Sequence, residues 1–134
     1  MTMENKKNTI LVVEDEAVLR QTLSDNLIAE GFNVLQAEDG VDGLLKAISD
    51  HPDLILLDIM MPRMDGLTMM QKLREQDAYG KKVPIILLTV LSPDEEKVVK
   101  HVAEDEPAYY LVKTNWKIGD VIEKIKERLG RIET

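Results

Sequence analysis

One acidic residue, Asp58, ends a run of large apolar residues in the stretch LILLDIMMPRMDG. Carboxylates rarely lie in or beside a protein core unless something pairs with them. Glu14 and Asp15 follow an earlier apolar run, TILVV, in the same way. Neighbouring carboxylates repel and raise one another's pKa, so they stay ionised most readily around a divalent cation. An all-oxygen site with room for water suits Mg²⁺.

A hydroxyl and an ammonium group follow two further apolar runs. Thr89 comes after VPIILL, and Lys113 comes after AYYLV. A lysine is a positive point charge that can hold the oxygens of a phosphoryl group. A carboxylate such as that of Asp58 can attack phosphorus and form an aspartyl phosphate, while a cation and a lysine neutralise the charge of the transfer. If these side chains meet, the sequence predicts a phosphoryl acceptor.

The elements that must position these side chains alternate along the chain as strand and helix, five times, with short links. The third and fourth strand-like runs are apolar throughout, which is typical of strands covered on both faces. The predicted strands are 9–13, 33–37, 53–57, 83–88 and 108–112. Such alternation predicts one α/β domain, in which a parallel sheet carries helices on both faces and ligands bind at the carboxyl ends of the strands.

Helical periodicity appears between the strands, with Gly31 as the stop of the first helix and Pro52 following the second. The fourth helix is predicted to begin at Ser92 with a capping box. The second helix is predicted near 40–50. The apolar positions of the others are Val18, Leu19, Leu23 and Leu27 in the first helix, Leu67, Met70 and Leu73 in the third, and Ile118, Val121, Ile122, Ile125 and Leu129 in the fifth.

Composition narrows the class of protein. The chain has 134 residues, of which 44% are apolar and 31% charged, as in a single globular domain rather than a disordered chain. Cysteine is absent, which excludes disulfides and thiolate metal sites. The start, MTMENKKN, is polar with no apolar segment behind it, so we expect no signal peptide. The longest apolar runs are too short to span a bilayer, so we expect a cytoplasmic protein. The net charge of −8 argues against binding nucleic acid through phosphate neutralisation.

Four motifs in order resemble those of the receiver domain of bacterial two-component response regulators. They are VVEDE (12–16), LLDIMMPRMDG (56–66), IILLT (85–89) and YLVK (110–113). The resemblance implies a flavodoxin-like, doubly wound (βα)5 fold with a five-stranded parallel sheet in the order 2-1-3-4-5. Residues 9–130 then form the receiver domain, with a flexible N-terminal tail at 1–8 and a C-terminal tail at 131–134.

The resemblance also assigns the site. Asp58 is the expected phosphoacceptor in phosphorelay signal transduction, and it is expected to be phosphorylated by a sensor histidine kinase or a phosphotransfer protein. Mg²⁺ is expected on Asp15, on Asp58 and on the main-chain carbonyl of Met60, with Glu14 acting mainly through a bound water. The protein is then a signalling switch and no metabolic enzyme, and it catalyses only its own phosphorylation and a slow dephosphorylation.

The remaining implied roles concern the phosphoryl group and the output. Thr89 and Lys113 are expected to bind phosphoryl oxygens, and Thr89 with Tyr110 to form the switch. The surface formed by the fourth helix, the fifth strand and the fifth helix then changes for a downstream protein effector. We expect no direct contact with nucleic acid or membrane, and leave open a dimer through the same surface.

Two alternatives stand beside this interpretation. A phosphoaspartate hydrolase of the haloacid dehalogenase type also uses an aspartyl nucleophile with Mg²⁺, but it needs an acid two residues later, where this chain has Met60. The second alternative is a degenerate receiver, which binds a partner but no longer accepts a phosphoryl group. Its support is Thr114, which follows Lys113 where the family usually has a proline after a cis bond. We expect a trans bond there, because a cis bond without proline costs about 3–4 kcal/mol.

Overall fold

The computed structural model describes residues 7–89, 109–112 and 117–130, and of residues 89 and 109–112 it describes the backbone. The strands are β1 (Thr9–Val13), β2 (Asn33–Ala37), β3 (Leu54–Asp58), β4 (Ile85–Thr89) and β5 (Tyr109–Val112). The helices in the described ranges are α1 (Ala17–Ala29), α2 (Gly40–Asp50), α3 (Gly66–Arg74), α4 (Ala78–Lys82) and α5 (Ile118–Arg128).

The strands form a parallel sheet in which β1 lies between β2 and β3, and β4 lies on the other side of β3. The predicted α/β fold with a parallel sheet is therefore confirmed, together with the order 2-1-3-4 of the first four strands. The backbone of β5 pairs with β4, with Thr89 opposite Val112. Because all these strands are parallel, their carboxyl ends lie along one edge of the sheet.

Both faces of the sheet are covered by helices, as the apolar runs predict. Alternate residues of β1, β3 and β4 point to opposite faces and enter two separate core clusters. One cluster includes buried side chains of α2 and α3, and the other includes buried side chains of α1 and α5. β3 is buried along its whole length and lies at the centre. The central strand that carries Asp58 is thus held on both edges and both faces.

The described structure differs from the sequence predictions at several points. β3 begins at Leu54 and β4 at Ile85, one and two residues later than predicted. Asp58 and Thr89 are the last residues of β3 and β4 rather than the residues after them. Val18 is 80% exposed, because the buried stripe of α1 follows the four-residue spacing of Leu23 and Leu27. Helix α4 was not predicted, although Asp77 accepts a hydrogen bond from the backbone N–H of Gly80 at its start. The helix predicted to begin at Ser92 lies outside the described residues.

Among the described helices, none combines the length and the apolar composition that crossing a bilayer requires.

Candidate functional site

Asp58 lies at the carboxyl end of the central strand, with only 3% of its surface exposed. Its strand pairs with β1 on one side and β4 on the other, and the N–H of the next residue, Ile59, donates to the carbonyl of Leu88 at 3.1 Å. The backbone around the carboxylate is therefore part of the sheet. A side chain held in this way needs little reorganisation before it binds or reacts.

Glu14 and Asp15 lie beside Asp58 because β1 and β3 are neighbours. Val13, the last residue of β1, pairs with Leu57, so the residues that follow each of them emerge side by side. One carboxylate oxygen from each of Glu14, Asp15 and Asp58 lies within 4.8 Å of the others. The sequence prediction that these carboxylates meet is borne out by the geometry.

The acidic pair has two different environments. Glu14 is 1% exposed, its Oε2 accepts the N–H of Glu16 at 3.0 Å, and its carbonyl accepts from Nη1 of Arg20 at 2.9 Å. Asp15 is exposed. The N-cap residue of α1 is Glu16, whose own side chain makes no cap bond. The Glu14 carboxylate therefore bonds the backbone at the start of the helix and also belongs to the cluster with Asp15 and Asp58.

This donor set fits a hard divalent cation. Three carboxylates bring oxygen atoms and negative charge to one point, and the exposed position of Asp15 leaves access for the waters that Mg²⁺ retains. Carboxylate oxygens are hard ligands that do not suit a soft metal, and the chain has no cysteine to supply a thiolate. The site residues present thus match the cation predicted from the sequence.

The loop after Asp58 is closely packed against its own strand. The N–H of Gly66 donates to the carbonyl of Ile59 at 2.8 Å. A Cβ at Gly66 would overlap the carbonyl oxygen of Asp58, so only glycine fits at this point. Met60, by contrast, is 54% exposed, and its side chain presents no polar group beside the site.

Arg63 and Asp39 join this loop to the start of α2, and sequence reasoning missed both. Nε and Nη2 of Arg63 lie 2.7 and 2.6 Å from Oδ2 of Asp39, whose Oδ1 accepts the N–H of Asp42 at 2.8 Å. The Asp42 N–H bond and the Arg63 guanidinium hold the pKa of Asp39 below its ordinary value, against the opposing effect of burial. An aspartate directly before the glycine of a predicted helix was a usable capping signal.

The other predicted site residues are placed only in part. Thr89 ends β4, one residue beyond Leu88, which pairs with Asp58, so its backbone lies at the same edge of the sheet. Tyr110 lies within β5, opposite Leu87. Lys113 and the turn at Thr114 lie outside the described residues. The phosphoryl-binding and switch roles of these residues stay predictions.

Comparison with known proteins decides the family. The family model described as "Response regulator receiver domain" matches residues 10–126. This chain belongs to the response regulator receiver domain family. The receiver is similar to a solved structure of the response regulator TrrA from Thermotoga maritima in complex with Mg(2+)-BeF, at 33% identity. The TM-score is 0.76, and the match covers 90% of this receiver and 97% of that chain.

Relatives of the receiver include transcriptional regulators. It is 44% identical over 89 residues to the probable transcriptional regulator ycf27 of Pyropia yezoensis, covering 66% of this chain and 35% of the relative. It is 38% identical over 89 residues to the DNA-binding dual master transcriptional regulator RpaA of Synechocystis, covering 66% and 36%. The matched segment of the receiver thus spans about a third of the length of these relatives.

The prediction of no direct contact with nucleic acid is wrong. It is overturned by relatives that are named transcriptional regulators, one of them DNA-binding. The prediction rested on the net charge of −8, which belongs to these 134 residues. In the relatives the receiver-like segment is a minor part of the protein, so its charge carries no information about the surface that contacts DNA.

Proposed function

We propose that this receiver domain accepts a phosphoryl group on Asp58 from a phosphohistidine of a sensor histidine kinase or a phosphotransfer protein. The observation that carries the proposal is the grouping of carboxylate oxygens from Glu14, Asp15 and Asp58 within 4.8 Å at the ends of two neighbouring strands. Membership of the receiver family supports it independently. The protein then acts as a signalling switch, and the only chemistry it performs is on its own aspartate.

In the proposed transfer, a carboxylate oxygen of Asp58 attacks the phosphorus of the donor. The new O–P bond forms as the P–N bond to the donor histidine breaks, and the electron pair stays on the imidazole nitrogen, which takes up a proton. β3 holds the nucleophile at the centre of the sheet, where its backbone is already paired. The contribution of the fold is therefore positioning.

The proposed cation ligands are Asp15, Asp58 and the main-chain carbonyl of Met60, with Glu14 acting through a bound water. Mg²⁺ supplies positive charge beside the phosphoryl oxygens when it is bound. The carboxylate cluster supports a divalent cation at this point, and the similar TrrA structure is described as a complex with Mg(2+)-BeF. Thr89 and Lys113 are proposed to bind the phosphoryl oxygens from the neighbouring strand ends.

The proposed output is a shift in a two-state equilibrium. Phosphorylation draws Thr89 inward, Tyr110 follows, and the surface formed by the predicted fourth helix, β5 and α5 changes its affinity for a partner. Since relatives of this receiver are transcriptional regulators, we propose that the signal controls transcription. We also propose that the domain has the complete five-stranded (βα)5 fold and that the protein is cytoplasmic.

The first prediction is that acetyl phosphate with Mg²⁺ adds one phosphoryl group to the protein, measured as intact mass. Asp58→Ala should abolish the addition, because Asp58 at the end of β3 is the proposed nucleophile, whereas the neighbouring Glu14 and Asp15 are proposed to hold the cation. Asp50→Ala is the matched control, since Asp50 is an exposed aspartate at the end of α2. It should be phosphorylated like the wild type. An unchanged mass of the wild type would instead support a receiver that only binds a partner.

A further inference from the structure

We propose that Arg63 is a positioning residue for the phosphoacceptor loop, defined as residues 59–65, and that its ion pair with Asp39 tunes the affinity of the site for Mg²⁺. This inference rests on the proposed function, because it concerns the cation that the phosphotransfer needs. Arg63 does not belong to the carboxylate cluster. It acts through the backbone that joins Asp58 to α3.

Arg63 has an unusual backbone conformation. Its φ is +66°, in the left-handed region that residues other than glycine rarely adopt. The N–H of Met64 donates to the carbonyl of Pro62 at 2.7 Å, which closes a three-residue turn with Arg63 at its centre. This positive-φ form of the γ-turn is rare and strained. Such strain persists only where the surroundings compensate for it, and it clusters at functional sites.

The compensation comes from Asp39. Nε and Nη2 of Arg63 lie 2.7 and 2.6 Å from Oδ2 of Asp39. The Asp39 side chain is only 7% exposed. The other oxygen, Oδ1, accepts the N–H of Asp42 and so caps α2. Arg63 is therefore attached to a carboxylate that a packed helix already holds in place. A charged pair with one buried partner stabilises more than a fully exposed pair.

A main-chain contact reinforces the same junction. The N–H of Gly40 donates to the carbonyl of Met64 at 3.1 Å, and a Cβ at Gly40 would overlap that carbonyl. The N–H of Gly66, directly after the loop, donates to the carbonyl of Ile59, the first residue of the loop. One bond thus joins the two ends of the phosphoacceptor loop next to β3, and the other attaches Met64, near its end, to the start of α2. The carbonyl of Met60, the proposed cation ligand, lies in the span between these attachments.

Loss of the ion pair should therefore let the strained turn relax and displace this carbonyl. Groups that orient metal ligands typically change metal affinity by about 10- to 100-fold when they are removed. Arg63 is 60% exposed, so solvent weakens its contribution, and we expect an effect of about 3- to 10-fold. The carboxylate cluster itself stays intact, so binding is weakened and not abolished.

The test is the Kd for Mg²⁺, measured by calorimetry on the full chain. Arg63→Ala and Asp39→Asn should each raise the Kd by about 3- to 10-fold, since asparagine keeps the cap of α2 but loses the charge. The double variant should bind Mg²⁺ no more weakly than Arg63→Ala, because both single variants remove the Arg63–Asp39 interaction. Arg63→Ala also removes a contact of 3.8 Å to Glu38, but both of those side chains are exposed, so that loss should add little. Lys126→Ala is the matched control: it breaks an ion pair of 2.6 Å to Glu30, between α5 and α1, and should leave the Kd unchanged.

A second variant separates positioning from stability. Arg63→Gly removes the side chain and also relieves the positive φ, so it should unfold at a higher temperature than Arg63→Ala without Mg²⁺. Its Kd should nevertheless be at least as high as that of Arg63→Ala. If Arg63→Ala and Asp39→Asn keep the wild-type Kd, the inference is overturned while the proposed function stands. If the wild type neither binds Mg²⁺ nor takes a phosphoryl group, the proposed function fails first.

Discussion

At the scale of single residues, its place on the central strand distinguishes Asp58 from Glu14 and Asp39, the other buried acidic side chains of the described residues. It is almost fully buried at the end of the central strand, and Glu14 and Asp15 bring further oxygens to it. The exposed Met60 follows two residues later, where a hydrolase would need an acid. For the proposed aspartyl phosphate, this residue pattern predicts slow rather than rapid hydrolysis.

We accordingly expect slow loss of the phosphoryl group, over minutes or longer, because Met60 presents no polar group that could orient water. Met60→Gln should accelerate this loss by about tenfold, less than the 10²–10⁴ of a general base, since an amide only orients water. The measurement is the decay of phosphorylated intact mass after acetyl phosphate is removed. Leu45→Gln, at another exposed apolar residue, is the control. Wild-type decay within seconds would contradict the prediction.

At the scale of elements, the site depends on a tight connection between β3 and α3. Gly66 begins α3, and the side chain of Asp65 caps the helix by accepting the N–H of Thr68 at 2.8 Å. The close approach of Gly66 to the carbonyl of Asp58 leaves no room for a Cβ. The glycine in the sequence motif is therefore a steric requirement of the site and has no direct chemical role.

Gly66→Ala should destabilise the fold by about 1–3 kcal/mol, because the new methyl group meets rigid backbone. It should also slow phosphorylation, since the relief of that overlap moves Asp58. Gly119→Ala in α5 is the matched control, where a Cβ meets nothing within 4 Å. It should be neutral or stabilising by up to about 1 kcal/mol. Denaturant unfolding measures both variants, and equal stabilities for the two would refute the steric explanation.

At the scale of the whole molecule, the sheet separates two cores that hold β3 from opposite faces. α1 and α5 lie on one face and are also joined by the ion pair between Lys126 and Glu30 at 2.6 Å. α2 and α3 lie on the other face, where Arg63 links loops that precede both helices. The position of Asp58 thus depends on packing across the entire domain.

Leu56→Ala should lower the free energy of unfolding by about 2–5 kcal/mol, because Leu56 is fully buried and paired with Val12 and Ile86 on either side. Ile28→Ala, at a residue that is 56% exposed, should change it by no more than about 0.5 kcal/mol. Urea unfolding followed by circular dichroism compares them. A loss of less than 1 kcal/mol for Leu56→Ala would be inconsistent with the two-sided core, given the usual cost of about 2 kcal/mol or more.

The sequence alone determined the alternation of strands and helices and the importance of Asp58. Both are local properties: apolar periodicity reports which faces are buried, and a carboxylate after a buried strand is conspicuous in any fold. The bounds of β1 and β2 were predicted to the residue, and α2 lies where the sequence predicted the second helix. The short helix α4 was missed because its few residues carry no apolar period.

Only the tertiary structure decided what the residues left open. Composition and spacing did not show that β1 and β3 are neighbours; the family resemblance implied it, and the sheet register brings the three carboxylates together. The Arg63–Asp39 pair is a further case, since its partners are 24 residues apart and meet only because a strained turn faces the start of α2. Contacts of this kind depend on loop geometry, which leaves no periodic trace in a sequence.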